Sequence, residues 1–252
     1  MNTPVTLSAP AKLTLSLRIT GVRDDGYHLI DAEMVSLAWA ETLTITPGGS
    51  GLTADGPFAA GMPLDDSNLV AKALRLAGAQ ASVHLHKVIP HGGGLGGGSS
   101  DAAAVLRWAG YHDVAGASRL GADVSFCLVG GRARVRGIGE LVEPLPFVPL
   151  DVTLVIPPLA VSTPAAYQAW DDLGGPTADG PNDLEPAAIV VEPQLARWRD
   201  RIGEAAGQRP VLAGSGATWF LRGHHPGLTA ALPDAMVVLT RTDRPPVRAD
   251  GR

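Results

Sequence analysis

The sequence predicts an α+β protein built in two parts, and three observations carry that expectation. Apolar residues alternate with polar ones from Leu13 to Thr20, the period of a half-buried strand, among the other strand-like segments between Val5 and Ile89. A dense glycine run then opens directly into alanines and aliphatics, the composition of a helix. Finally, Glu143-Pro144-Leu145-Pro146-Phe147-Val148-Pro149 cannot continue a helix or a central strand, and it separates residues 1–146 from a second unit of alternating helices and strands over 147–252.

Taken in order, Val5 to Ala9 and Leu13 to Ile19 read as strands, the second placing Leu13, Leu15, Leu17 and Ile19 on one face against Thr14, Ser16, Arg18 and Thr20. A turn from Gly21 to Gly26 leads past Tyr27-His28 into strands at Glu33 to Ala40 and Thr42 to Thr46, then a Gly/Pro-rich loop from Pro47 to Pro63. Asp65-Asp66-Ser67 is expected to cap a helix in which Leu69, Val70, Ala73, Leu74, Leu76 and Ala77 recur at helical spacing. Ser82 to Ile89 is a strand delivering the chain into the glycines. Ser100 to Trp108 is the helix after them, with Ser99, Ser100 and Asp101 as its capping residues; Leu120 to Val124 opens another helix, and Gly131 to Val135 returns as a strand. Beyond the prolines, strands at Asp151 to Ile156, Pro210 to Ala213, Thr218 to Leu221 and Ala235 to Thr240 alternate with helices at Thr163 to Leu173, Gln194 to Ala206 and Gly227 to Leu232. The polar tail from Thr242 is expected to fray.

With 252 residues, 45% of them hydrophobic, and a net charge of −5, the chain can bury a core but offers no general field to draw nucleic acid or an anionic membrane. Neither is expected as a partner. A small molecule is, and monomer and homodimer both stay open. The single cysteine, Cys127, excludes an intramolecular disulfide and a cysteine-based zinc site, and its apolar neighbours make it a small buried hydrophobe. The N-terminus lacks a signal peptide pattern and no apolar run reaches membrane-spanning length, so a cytoplasmic protein is expected. Lysine is scarce: Lys12, Lys72 and Lys87 are three of twenty basic residues. Composition bias is the plain reading of this, yet Lys12 stands inside an apolar strand, a place where a compact ammonium can serve where a guanidinium would not.

The stretch Pro90-His91-Gly92-Gly93-Gly94-Leu95-Gly96-Gly97-Gly98-Ser99-Ser100 carries the chemistry. Glycines this dense cost conformational entropy unless positive φ or close approach to bare backbone requires them, and a helix N-terminus just beyond favours an anion such as phosphate. As a Walker loop the segment fails, because Gly92 and Gly97 are followed by Gly98-Ser99 rather than by Gly-Lys-Ser/Thr. As a dinucleotide fingerprint, Gly92-x-Gly94-x-x-Gly97 matches, but so many glycines match almost any register, and strands rather than a βαβ unit precede it.

The loop resembles instead the ATP loop of the GHMP kinases. The resemblance extends through Pro10-Ala11-Lys12, Asp25-Gly26-Tyr27-His28, Leu120-Gly121-Ala122-Asp123-Val124-x-Phe126, Gly139-Glu140, Asn182-Asp183-Leu184-Glu185-Pro186 and Gly214-Ser215-Gly216-Ala217-Thr218, all in family order. That ordered set resembles the 4-diphosphocytidyl-2-C-methyl-D-erythritol kinases among them. The resemblance implies a two-domain GHMP kinase fold, with a ribosomal-protein-S5-domain-2-like N-terminal half and a ferredoxin-like α/β sandwich after it. It also implies ATP with Mg2+, and phosphorylation of the 2-hydroxyl of 4-diphosphocytidyl-2-C-methyl-D-erythritol in the non-mevalonate pathway of isoprenoid precursors.

In the same sense it assigns Asp123 as the base, Lys12 as its partner, residues 90–100 as the ATP site, and Tyr27-His28 as the holder of the cytosine. Thr14, Thr163, Gly214 and Ser215 fall near the substrate, and Ser99 or Ser100 near the magnesium. Thr14 stands where the family usually has asparagine. Each feature has a plainer reading: Asp123 a helix cap, Lys12 an exposed strand residue, Tyr27-His28 a strand edge, Ser162-Thr163 a cap, and Gly214 to Ala217 a hairpin or bulge. His84 and His86 share a strand face, but with no carboxylate at local ligand spacing they make no metal site. Another GHMP alcohol kinase of mevalonate or homoserine type, a non-catalytic nucleotide-binding module and a nicotinamide oxidoreductase are the alternatives.

Overall fold

A computed structural model describes residues 3–246. Its first half is an antiparallel hairpin of two long strands, β1 (Val5–Val22) and β2 (His28–Pro47), extended by β3 (Leu52–Asp55), a helix α1 (Leu69–Leu76) and β4 (Ala81–His86). Next come α2 (Gly97–Trp108), α3 (Val114–Ala117), α4 (Ala122–Val129), β5 (Arg132–Gly137) and β6 (Leu141–Pro144). The sheet runs β3-β4-β2-β5-β6, with β1 along β2; β3 pairs β4 in parallel and the other pairs are antiparallel. Helices α1, α2 and α4 pack together, and Ala102 to Leu106 of α2 are fully buried against the sheet with Phe126 of α4.

The chain crosses through 145–150 into a second sheet. Its elements are β7 (Asp151–Ile156), α5 (Thr163–Asp172), α6 (Glu185–Val191), α7 (Gln194–Ala206), β8 (Val211–Leu212), β9 (Trp219–Arg222), α8 (Leu228–Ala231) and β10 (Met236–Arg241), with strand order β10-β7-β9-β8. Alternation along β7 shows how this sheet is used. Val152, Leu154 and Ile156 pack with Phe220 against Ala11, Leu13, Leu15 and Leu37 of the first hairpin, while Val155 joins Trp219, Leu221, Trp198 and Ile202 in the core under α7. The two sheets therefore share a core.

Several expectations from the sequence are corrected. Leu13, Leu15, Leu17 and Ile19 do not share one face: Leu13 and Leu15 meet the second sheet, whereas Leu17 and Ile19 belong to the first core. The cause is an extra residue on β1 between the pairs Thr14↔Met34 and Ser16↔Glu33, and such a bulge reverses the alternation beyond it. The paired strands at 5–9 and 13–19, and at 33–40 and 42–46, are continuous. The loop from Pro47 holds strand β3, and α3, α6 and β6 were not foreseen. The first helix is capped by Asn68, whose side chain accepts from Val70 N–H, not by Asp65, Asp66 or Ser67. Helix α2 starts inside the glycine run, with Gly96 as its N-cap, so Ser99, Ser100 and Asp101 do not cap it. The tail is tied at its start: Thr242 is buried, exchanges hydrogen bonds with Leu150, and Asp243 N–H donates to Ser36. Its continuation past Pro246 lies outside the described residues.

Candidate active site

Lys12 and Asp123 meet. Lys12 is 4% exposed, which overturns the exposed-strand reading, and its Nζ lies 3.0 Å from Asp123 Oδ2. The same ammonium donates to Gly94 O at 3.0 Å and to Thr14 Oγ1 at 3.3 Å, so its donors are all engaged. Asp123 occupies the first turn of α4 without capping it: the N-cap is Gly121 and makes no side-chain bond. Its carboxylate keeps a side-chain exposure of 31%, enough to face an incoming group.

The glycine run closes over this pair because side chains would not fit. A Cβ on Gly94 would stand 2.5 Å from Ala213 O and 3.0 Å from Gly216 O, with φ at +74°, so the loop rests directly on the glycine turn of the second sheet. A Cβ on Gly96, φ +67°, would press on Lys12 Cβ and Cε at 3.3 Å and approach Asp123 Oδ2 at 3.8 Å. Backbone also joins the parts, Lys12 N–H donating to Leu95 O at 2.8 Å. From the other side, Gly214 presents its Cα within about a methyl group of the site: a Cβ there would lie 3.7 Å from Thr14 Oγ1 and 4.0 Å from Lys12 Nζ. Residues 89–99 and Leu69 line a cavity of about 200 Å³. Two larger grooves, of about 750 and 610 Å³, are lined by neither Lys12, Asp123 nor the glycine run.

The remaining loop residues divide. Ser100 is buried and its hydroxyl donates to Pro10 O, which pins α2 to the strand carrying Lys12; Ser99 is half-buried at the cavity. His91 also lines the cavity, and its ring is held by Phe58 O, 2.6 Å from Nε2. Thr163 Oγ1 lies 2.8 Å from Ser215 Oγ, so the start of α5, capped by Ser162, holds the glycine turn. That turn is held again by Asn182, whose amide donates to Leu212 O and Gly214 O, while the neighbouring Asp183 carboxylate binds Arg18 and the Ile19 N–H of β1.

Tyr27 and His28 take different positions. Tyr27 is 59% exposed at the turn. His28 is sheltered: its Nε2 is 2.8 Å from Asp171 Oδ1, its ring lies 4.7 Å from that of Tyr167, and Trp170 meets it edge-on at 5.6 Å. Sequence reasoning missed Tyr167, Trp170 and Asp171. Their signal was a helical face, since positions i, i+3 and i+4 of α5 point one way. Burial, with the Asp123 charge nearby, pushes the Tyr167 hydroxyl up to about 12, so it stays neutral between the His28 pocket and the Asp123 carboxylate.

His84 and His86 gain a carboxylate from elsewhere in the chain rather than at local spacing. The parallel strand β3 brings Asp55 to both, with Oδ1 2.6 Å from His86 Nδ1 and 3.5 Å from His84 Nε2. Even so, among the described residues no group of three His, Cys, Asp or Glu is arranged to hold a metal ion. Cys127 is buried as expected, and burial pushes its thiol up to about 12. Among the described residues, no helix is long and apolar enough to cross a membrane.

Residues 68–131 match the model of the GHMP kinases N terminal domain. Over 93% of this chain and 90% of the relative, the sequence is 40% identical to a 4-diphosphocytidyl-2-C-methyl-D-erythritol kinase of Paracoccus denitrificans. A protein of the same name from Pelotomaculum thermopropionicum is 37% identical over 95% of this chain and 94% of its own length. Among solved structures, a 4-(cytidine 5'-diphospho)-2C-methyl-D-erythritol kinase superposes with a TM-score of 0.78 and 32% identity, covering 95% of this chain and all of that one. Homoserine kinase from Cytophaga hutchinsonii, at 17% identity and a TM-score of 0.67 over 97% of this chain and 96% of its own, shares the fold.

Proposed function

The chain belongs to the family of 4-diphosphocytidyl-2-C-methyl-D-erythritol kinases, within the GHMP kinases, and from that premise we propose that it phosphorylates the 2-hydroxyl of 4-diphosphocytidyl-2-C-methyl-D-erythritol with ATP. The observation that carries the reading is the convergence of Lys12, Asp123, Gly94 and Gly214 on one point at the start of α2.

Phosphoryl transfer asks for fixed phosphates, stabilised charge and a base for the alcohol proton. ATP would supply the phosphoryl group, with an accompanying Mg2+ to offset the phosphate charge. The residues present fit such a ligand. Positive-φ glycines leave bare backbone at a helix N-terminus, where unpaired N–H groups and the dipole favour an anion, and Ser99, which lines the cavity, would be the hydroxyl to help hold the metal. Ser100 has spent its hydrogen on Pro10 and is the weaker candidate.

Asp123 takes the proton of the hydroxyl at the Oδ oxygen that Lys12 leaves open. Lys12 fixes the carboxylate by its 3.0 Å contact and sets a positive charge beside the forming alkoxide. Its own orientation is fixed by Gly94 O and Thr14 Oγ1. Thr14, Gly214, Ser215 and Thr163 bound the alcohol end, and Tyr27 and His28 take the cytosine, Tyr27 as an exposed face and His28 as a ring already oriented by Asp171. In this reading residues 1–146 carry nucleotide and base, and 147–252 close over them. The enzyme acts with no nucleic acid or membrane partner, as monomer or homodimer, in the cytoplasm.

The test is direct. Purified protein with Mg-ATP should release ADP only when 4-diphosphocytidyl-2-C-methyl-D-erythritol is added, and phosphorus NMR should find a new monoester on a tertiary carbon. Turnover with mevalonate or homoserine instead would move the chain to another substrate class.

A further inference from the structure

Beneath the glycine run lies a charged cluster that the transfer chemistry does not use. Glu41 of β2, Lys87 just past β4 and Asp101 of α2 are each at most 2% exposed. Lys87 Nζ lies 2.7 Å from Glu41 Oε1 and 2.5 Å from Asp101 Oδ2. Glu41 also accepts backbone N–H groups: Val88 donates to Oε2 at 2.6 Å and Ile89 to Oε1 at 3.4 Å.

The positions of these groups matter more than their charges. Val88 and Ile89 are the stem by which the chain enters the glycine run, and Asp101 sits on the helix into which the run descends. Glu41 also touches the far end of the run, since a Cβ on Gly97 would stand 3.1 Å from its Oε1. One ammonium and one carboxylate therefore bridge both stems of the loop to the central strand of the sheet. Burying three charged groups gains little stability, because desolvation offsets the attraction. Asp101 shows the cost: its Oδ1 has no hydrogen-bond partner, and burial pushes its carboxyl up to about 6 although Lys87 pulls it down.

We propose that Glu41, Lys87 and Asp101 are positioning residues for the nucleotide loop, holding its two stems at the separation that binds ATP, so that their loss falls on ATP affinity and not on the transfer step. The proposal rests on the nucleotide reading of the glycine run given above.

The test uses the full-length protein and titrates Mg-ATP by calorimetry alongside steady-state kinetics. Glu41→Gln and Asp101→Ala are each expected to weaken Mg-ATP binding about tenfold, with kcat at saturating ATP and KM for the alcohol within about twofold of wild type. Asp101→Asn, which keeps an oxygen for Lys87, is expected to recover most of the affinity. Variants that melt lower yet bind Mg-ATP like wild type overturn the proposal, as does a fall in kcat with ATP affinity intact. Should neither disruptive variant fold, hydrogen exchange in the ATP-free wild type decides: protected Val88 and Ile89 amides support the stem contact, and rapid exchange at both overturns it. A wild type that binds no Mg-ATP overturns the nucleotide reading itself, and this proposal with it.

Discussion

At the scale of single residues, charge is placed where the surroundings set its consequence. The Asp101 carboxyl is pushed up to about 6 in the folded chain, above its ordinary value of 3.8, by burial. Between pH 4 and 6 the native state therefore holds a proton that the unfolded chain has released, so stability falls as pH rises through that window, and the loss is complete above it. The penalty at neutral pH is on the order of 3 kcal/mol. Asp101→Asn cannot carry it. The gap between the melting temperatures of Asp101→Asn and wild type should shift in favour of the variant as pH is raised from 4.5 to 7; parallel curves would show that the carboxyl titrates normally.

At the scale of elements, α5 reaches across the molecule to the turn after β1. Tyr167, Trp170 and Asp171 form the face that receives His28, and Asp171 fixes the ring by its Nε2. Asp171→Ala should raise KM for the cytidyl substrate about tenfold while KM for ATP stays put; equal KM values for both substrates in variant and wild type would detach α5 from the base. Helix α5 itself was legible, since Ser162 and Thr163 announce its start and its apolar spacing is helical. Its partner was not, because nothing local ties a helix to a turn more than a hundred positions earlier. The same contrast holds elsewhere. Lys12 and Asp123 stand out only through the family resemblance, because each alone reads as an ordinary strand residue or helix cap, whereas the glycine run could be read from local chemistry as an anion site. The bulge that divides Leu13 and Leu15 from Leu17 could not, because it depends on pairing with β2. Asp55 reaches His84 and His86 only through a parallel pairing, and the cap at Asn68 prevailed over three equally good candidates just before it.

At the scale of the whole molecule, the proline-rich crossing divides two sheets but not two cores. Val152, Leu154 and Phe220 pack with Leu13, Leu15 and Leu37, and each of these six is at most 9% exposed. Pro181 and Asp183 add hydrogen bonds from the second part to β1, through Leu17 and Ile19. Cutting that interface would expose apolar surface on both sides, so the halves should unfold together. Urea titrations followed by tryptophan fluorescence and by far-UV circular dichroism should coincide, the fluorescence weighted to the second part, where Trp170, Trp198 and Trp219 reside. Two separated midpoints would mean that the parts are independent.

This shared core is also what sets Gly94 against Ala213 and Lys12 against Gly214, so the cluster proposed to act on the alcohol exists only in the assembled molecule. We propose that Asp123 receives the alcohol proton there while the glycine loop binds ATP separately. Asp123→Asn, which keeps the shape of the side chain and removes its basicity, should lower kcat by about a thousandfold or more while leaving the Mg-ATP dissociation constant within about threefold of wild type. A variant that retains kcat within about tenfold of wild type would show that Asp123 is not the base.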